Sequence, residues 1–160
     1  MAKFFRAESE EDFRQVRKLL IEYADSLGFE LSCQHFDRDS VELPGEYAPP
    51  DGYLLLATQE TKIAGCVALR KIAYGVCEMK RLYVRPEFRG KGIGRKLALN
   101  IIKEARKIGY KHMRLNTLSS MKEAAALYRS LGFKEIEPYR HNPIEGAMFM
   151  ELALIRQHSP

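Results

Sequence analysis

Cysteine and histidine are scarce in this chain of 160 residues, and the few present do not cluster. Cys33, Cys66 and Cys77 are odd in number and lack paired metal-ligand spacing, which argues against a disulfide framework or a zinc site and leaves small buried hydrophobes. His35, His112, His141 and His158 are equally scattered, so no metal is expected. No apolar run approaches the ~20 residues that span a bilayer. The stretch from Met1 to Asp12 is too polar for a secretory signal. A cytoplasmic protein without membrane association is expected. No low-complexity linker and no internal repeat divides the chain, and 46% hydrophobic with 29% charged residues suits one domain over residues 1–160.

What is present is concentrated in one place. Arg89-Gly90-Lys91-Gly92-Ile93-Gly94 lies between an alternating segment, Val76 to Val84, and a segment in which Ile93, Leu97, Ile101, Ala105 and Ile108 recur at helical spacing until Gly109 stops it. Glycines let backbone N–H groups approach an anion, and a helix N-terminus adds unpaired donors and partial positive charge, so the loop reads as a polyphosphate cradle. It has neither the Gly-Lys-Ser/Thr ending of a Walker loop nor the Gly-x-Gly-x-x-Gly spacing of a dinucleotide fold. From residue 80 to 96, seven cations stand against Glu87 alone, a local +6, so the rest of the chain carries −1 of the net +5. Basicity this local, with no recognisable nucleic-acid-binding motif, points away from DNA or RNA.

The remaining pattern predicts a mixed α/β sheet. Ser9 with Asp12 can cap a first helix whose stripe is Phe13, Val16, Leu19, Leu20, Tyr23 and Leu27. Residues 32–52, broken by Pro44-Gly45 and Pro49-Pro50-Asp51-Gly52, read as a short helix and ordered loop. Tyr53–Ala57 and Ile63–Leu69 read as a hairpin, followed by the strand carrying Glu78. After the crossover helix come a strand at His112–Thr117, a helix capped by Ser120 and Glu123, and strands near Phe133–Glu137 and Gly146–Leu154. In that helix Ala124, Leu127, Tyr128 and Leu131 share one face, and from spacing alone Tyr128 reads as a core aromatic. Alternation puts Glu78 on one face with Lys80 and Leu82, where it is either an ion-paired strand residue or a base.

Arg89, Gly92 and Gly94 resemble the Arg/Gln-x-x-Gly-x-Gly/Ala signature of the GNAT superfamily of N-acetyltransferases. Leu115-Asn116-Thr117 and the run from Ala124 to Gly132-Phe133 are similar to the family's next strand, helix and Gly-Phe turn. The resemblance implies a GNAT-like fold, a mixed and mostly antiparallel central sheet flanked by helices. It implies acetyl-CoA as cosubstrate, its pyrophosphate on the backbone of Arg89, Gly90, Lys91, Gly92, Ile93 and Gly94, with Arg95 beside them. The pantetheine arm would run along Leu82, Tyr83 and Val84, and a backbone N–H near Leu82 or Tyr83 would polarise the acetyl carbonyl. Asn116 would bind the pantetheine or a water, or merely fix its strand end. Tyr128 would protonate the departing thiolate, and Glu78 or an ordered water would take the amine's proton.

The acceptor is read from the segment around Pro138 to Gly146. Arg140, His141 and Asn142, with Arg38, could bind the carboxylate of a small acidic metabolite or amino acid, or could be solvated loop groups. A protein N-terminus or lysine is an alternative acceptor, and a non-catalytic acyl-CoA-binding regulatory domain an alternative function. The apolar Met148-Phe149-Met150 suggests a homodimer.

Overall fold

The structure, a computed structural model, describes residues 1–27, 43–140 and 145–154. The chain opens with a strand, β1 (Ala2–Arg6), and a helix, α1 (Glu10–Leu27). A 3₁₀ turn at Gly45–Tyr47 leads to the hairpin β2 (Tyr53–Gln59) and β3 (Lys62–Ala73), then β4 (Val76–Val84). A second 3₁₀ turn, Pro86–Phe88, precedes α2 (Ile93–Ile108), β5 (His112–Leu118), α3 (Lys122–Ser130), β6 (Lys134–Ile136) and β7 (Ala147–Ala153). Among the described residues the strands form one seven-stranded sheet, β1-β2-β3-β4-β5-β7-β6. Every neighbouring pair is antiparallel except β4 with β5, so the expected mixed, mostly antiparallel sheet is what forms. No helix of the described residues is long and apolar enough to cross a membrane.

Two apolar layers hold the sheet. On one face, Ile93, Leu97, Ala98, Ile101, Ile102 and Ala105 of α2 and Ala125 and Tyr128 of α3 pack on Cys77, Met79, Met113 and Leu115. On the other, Phe13, Val16, Leu19 and Leu20 of α1 pack on Leu54, Leu56, Cys66, Ala68 and Tyr83, with Tyr47 closing the edge. Cys66 and Cys77 are free and buried, and burial pushes both thiols up to about 12, which suits space-filling rather than reaction. Cys33 lies outside the described residues.

The start of α1 follows its sequence signal. Ser9 Oγ accepts from the Asp12 N–H at 3.0 Å, and Asp12 Oδ2 accepts from the N–H groups of Ser9 (3.2 Å) and Glu8 (3.0 Å). Partial burial opposes ionisation of Asp12, but the two backbone N–H bonds together with the Ser9 hydroxyl outweigh it and hold the carboxyl below its usual 3.8. Ser9→Ala is expected to cost about 1 kcal/mol at neutral pH, read as a lowered melting temperature. Because the folded-state value is depressed, Asp12's contribution is present above the unfolded value and is lost as pH falls through the folded one. An Asp12→Ala variant should therefore converge with the parent in acid.

Three expectations change. Strand β1 was not anticipated, because five residues on an edge carry too little pattern; Ala2 and Phe4 nonetheless pack on the α2 side of the sheet. The Ser120–Glu123 capping box does not form. A turn bond from the Met121 N–H to the Leu118 carbonyl puts Met121 at the cap, with no side-chain bond, and Ser120 falls outside the helix. Ala125 accompanies Tyr128 in the core, leaving Ala124 and Leu131 at its margin. Met148-Phe149-Met150 lies within β7, which pairs β5 on one edge and β6 on the other, and all three residues are buried.

Candidate active site

The strands β4 and β5 part midway. They pair only as Val76 with His112, Cys77 with Met113 and Glu78 with Arg114, although β4 runs on to Val84 and β5 to Leu118. The cause lies in β4. Arg81 adopts φ +61°, and the register with β3 slips by one residue, from Ala68 opposite Lys80 to Cys66 opposite Tyr83. Such a bulge bends and twists its strand. Gly65 permits the close approach of β3 that accompanies it, since a Cβ there would lie 2.4 Å from the Tyr83 carbonyl oxygen. The result is a slot whose edges, Leu82–Val84 and Leu115–Leu118, present backbone N–H and C=O groups to an extended, amide-bearing chain, as in strand addition.

The bulge also corrects the expected facing of Glu78. Cys77 and Met79 point to the α2 side, but Leu82 and Val84 do so as well, because the extra residue at Arg81 reverses the alternation. Glu78 therefore shares a face with Lys80 and Tyr83, not with Leu82.

At the open end of the slot stands the glycine loop. Gly90 and Gly92 both have φ +80°, and a Cβ at either would meet open space, so glycine is required there for backbone conformation and not for room. Gly92 begins α2 without a side-chain cap, which leaves the first N–H groups of a 16-residue helix directed at the loop. Arg89 is held by its Nε bond to the Val84 carbonyl at 2.9 Å, and its guanidinium lies 5.8 Å from the Tyr83 ring. Lys91 lies over Phe88, and Arg95 donates to Ser130 Oγ at 2.8 Å, tying α2 to α3. Arg85 belongs elsewhere: it donates to Glu22 of α1 at 2.8 and 3.1 Å and to the Ile63 carbonyl.

At the closed end lies Glu78, 0% exposed. Its carboxylate accepts from Arg70 Nε at 2.8 Å, from the Tyr139 hydroxyl at 2.5 Å and from Arg140 at 2.6 and 3.3 Å. Burial alone would raise its pKa, but the Tyr139 bond and the charges of Arg140, Lys80 and Arg70 together prevail and hold it below the ordinary carboxylate range. Arg70 also reaches Glu46 at 2.5 Å, and Arg114 pairs with Glu151 at 2.8 Å. Tyr128, 8% exposed, stands edge-on to Phe133 at 5.8 Å. Burial, then the phenol of Tyr23, pushes its own phenol well above 10. Tyr23 stacks on Tyr83 from the α1 face, with ring centroids 5.3 Å apart. Asn116 sits on the slot's β5 edge, half-buried and opposite Phe149.

Residues 13–133 match the model of the acetyltransferase (GNAT) family. A Schizosaccharomyces pombe N-acetyltransferase is 42% identical over 146 residues, 90% of each chain. The chain belongs to the GNAT family. Its fold is similar to a GNAT acetyltransferase of Staphylococcus aureus, with a TM-score of 0.78 over 97% of this chain and 100% of that one at 20% identity. It is also similar to the PaiA N-acetyltransferase of Thermoplasma acidophilum in complex with coenzyme A, with a TM-score of 0.76 over 96% and 99% at 22% identity. This GNAT protein is thus an acetyl-CoA-dependent N-acetyltransferase by family.

Leu82, Tyr83, Val84 and Asn116 lie where β4 and β5 part, the loop from Arg89 to Arg95 follows β4, Glu78 and Arg140 meet at the closed end, and Tyr128 lies in the α2-side core. Arg38, His141 and Asn142 lie outside the described residues. Sequence reading missed Tyr139, Arg70 and Tyr23. Arg70 carried a usable signal, a lone cation ending the apolar run of β3; Tyr139 carried none, because only the path of the β6–β7 connection delivers it.

Proposed function

We propose that this acetyltransferase moves the acetyl group of acetyl-CoA directly to the primary amine of a small molecule, of amino-acid or acidic-metabolite type. The observation that carries the reading is the slot with an uncapped, glycine-lined helix N-terminus at one end and a buried ionised carboxylate at the other. Acetyl-CoA supplies an activated thioester. Its phosphates suit the N–H groups of Gly90 to Gly94 with the cations of Arg89, Lys91 and Arg95, and its amide-bearing arm suits the free edges of Leu82–Val84 and Leu115–Leu118, with Asn116 within that edge. The N–H of Leu82 or Tyr83, at the bulge, donates to the acetyl carbonyl as negative charge develops there. Glu78 is the proton acceptor for the amine. Tyr128 stays protonated throughout the physiological range and donates to the departing sulfur. Arg140, turned to Glu78, borders the acceptor entrance.

Two relatives support a small amino-acid acceptor. The thialysine N-epsilon-acetyltransferase of Sus scrofa is 35% identical over 47% of this chain, and the N-acetylaspartate synthetase of Xenopus tropicalis is 33% identical over 61%. The test is a thermal-shift titration with acetyl-CoA, coenzyme A and ATP, then thiol release with L-aspartate, thialysine, spermidine and an alanine-initiated peptide. A ligand at one hundred times its dissociation constant stabilises by about 2.7 kcal/mol, so a rise of several degrees with both CoA species and none with ATP is expected. Absence of a shift with either CoA species would sink the reading; turnover of the peptide alone would replace the small-molecule acceptor with a protein.

A further inference from the structure

We infer that Tyr139 is a catalytic residue of the transfer, the group through which the amine's proton reaches Glu78. The inference rests on Glu78 as the proton acceptor. A carboxylate offers roughly four lone-pair positions, and those of Glu78 are engaged: Oε1 by Arg70 Nε and one Arg140 nitrogen, Oε2 by the other Arg140 nitrogen and the Tyr139 hydroxyl. The carboxylate is also sealed from solvent. An incoming ammonium cannot reach it without displacing a donor. Of those donors the two arginines cannot give up a proton. The phenol can pass one on.

Tyr139 is placed to do so. It is half-buried where Glu78 is wholly buried, so of the two it is the residue an entering acceptor can meet. Its ring is fixed edge-on against Phe149 at 5.0 Å, with the guanidinium groups of Arg114 and Arg140 at 5.3 and 5.4 Å. The balance is simple. The ammonium N–H bond breaks as its proton bonds to Tyr139 Oη, while the proton already on Oη moves to Glu78 Oε2. The amine is left neutral, the phenol intact and the carboxyl protonated. The charged and titratable groups facing Glu78 are Arg70 from β3, Lys80 along β4, Arg114 from β5, and Tyr139 and Arg140 from the connection, with Glu46 and Glu151 behind Arg70 and Arg114 and the neighbouring Cys77 turned to the opposite face.

Tyr139→Phe, Glu78→Gln and the double variant are to be compared for thiol release with the fastest acceptor of the panel above, and for acetyl-CoA-induced thermal shift. A ¹³C titration of the glutamate carboxyls, with Glu78 assigned by its loss in Glu78→Gln, follows the carboxylate without any acceptor. Serial action predicts that each single variant loses about 100-fold in kcat and that the double variant loses no more than either. The CoA shift stays intact, and in Tyr139→Phe the Glu78 titration moves to higher pH. Parent-like kcat in Tyr139→Phe, losses that multiply in the double variant, or an unmoved Glu78 titration would each overturn the relay. Parent-like activity of Glu78→Gln would instead remove Glu78 from the mechanism. No thiol release with any acceptor, despite bound acetyl-CoA, would bring down the small-amine reading and the relay with it.

Discussion

Replacing Arg89 and Gly92 together with glutamate is expected to abolish the thermal stabilisation that acetyl-CoA confers, with the fold retained. Gly92 sits at φ +80° and caps α2, so glutamate there meets a conformation that side chains other than glycine resist and brings an anion to the helix N-terminus. At Arg89 the change removes a cation held toward the loop by the Val84 carbonyl and introduces a second negative charge. Neither position contributes a core side chain, and a Cβ at 92 meets open space, so far-ultraviolet circular dichroism should match the parent. Losing even three phosphate hydrogen bonds at about 1.5 kcal/mol each would weaken binding by more than 1000-fold. A rise of several degrees with saturating acetyl-CoA in the parent and none in the variant is the expected pair of results. An equal rise in both would remove the loop from the cofactor site.

The second large effect concerns Tyr128, where a structural and a chemical role predict opposite outcomes. The ring is part of the core, packed on Phe133, and phenylalanine preserves that packing. Tyr128→Phe should therefore leave the melting temperature close to the parent's. If the phenol donates to the leaving sulfur, the same variant loses about 100-fold in kcat while the acetyl-CoA-induced shift is unchanged. An equally stable and far less active protein with intact cofactor binding identifies the hydroxyl as a functional group. Unchanged kcat would return Tyr128 to the core.

Which parts of this site were legible in the sequence follows from how local each signal is. The glycine loop and α2 were legible because their causes are short-range: glycine at positive φ, apolar residues at helical spacing, and Gly109 stopping the helix at φ +112°. The Ser9–Asp12 cap was legible for the same reason. The Ser120 cap was misread because a competing turn, only four residues long, places the helix start one residue later. The bulge at Arg81 left no mark, since nothing about an arginine announces a left-handed backbone. Yet that residue decides which side of the sheet Leu82 faces and helps to open the slot beside it.

By itself the sequence determined the fold class, the glycine loop and the family, because periodicity, backbone freedom and a short motif act between residues close along the chain. Only the tertiary structure decided the state of Glu78. Tyr139 lies 61 residues away from it and Arg140 62. A carboxylate's proton affinity depends on the charges and donors packed around it, and chain folding alone determines which those are.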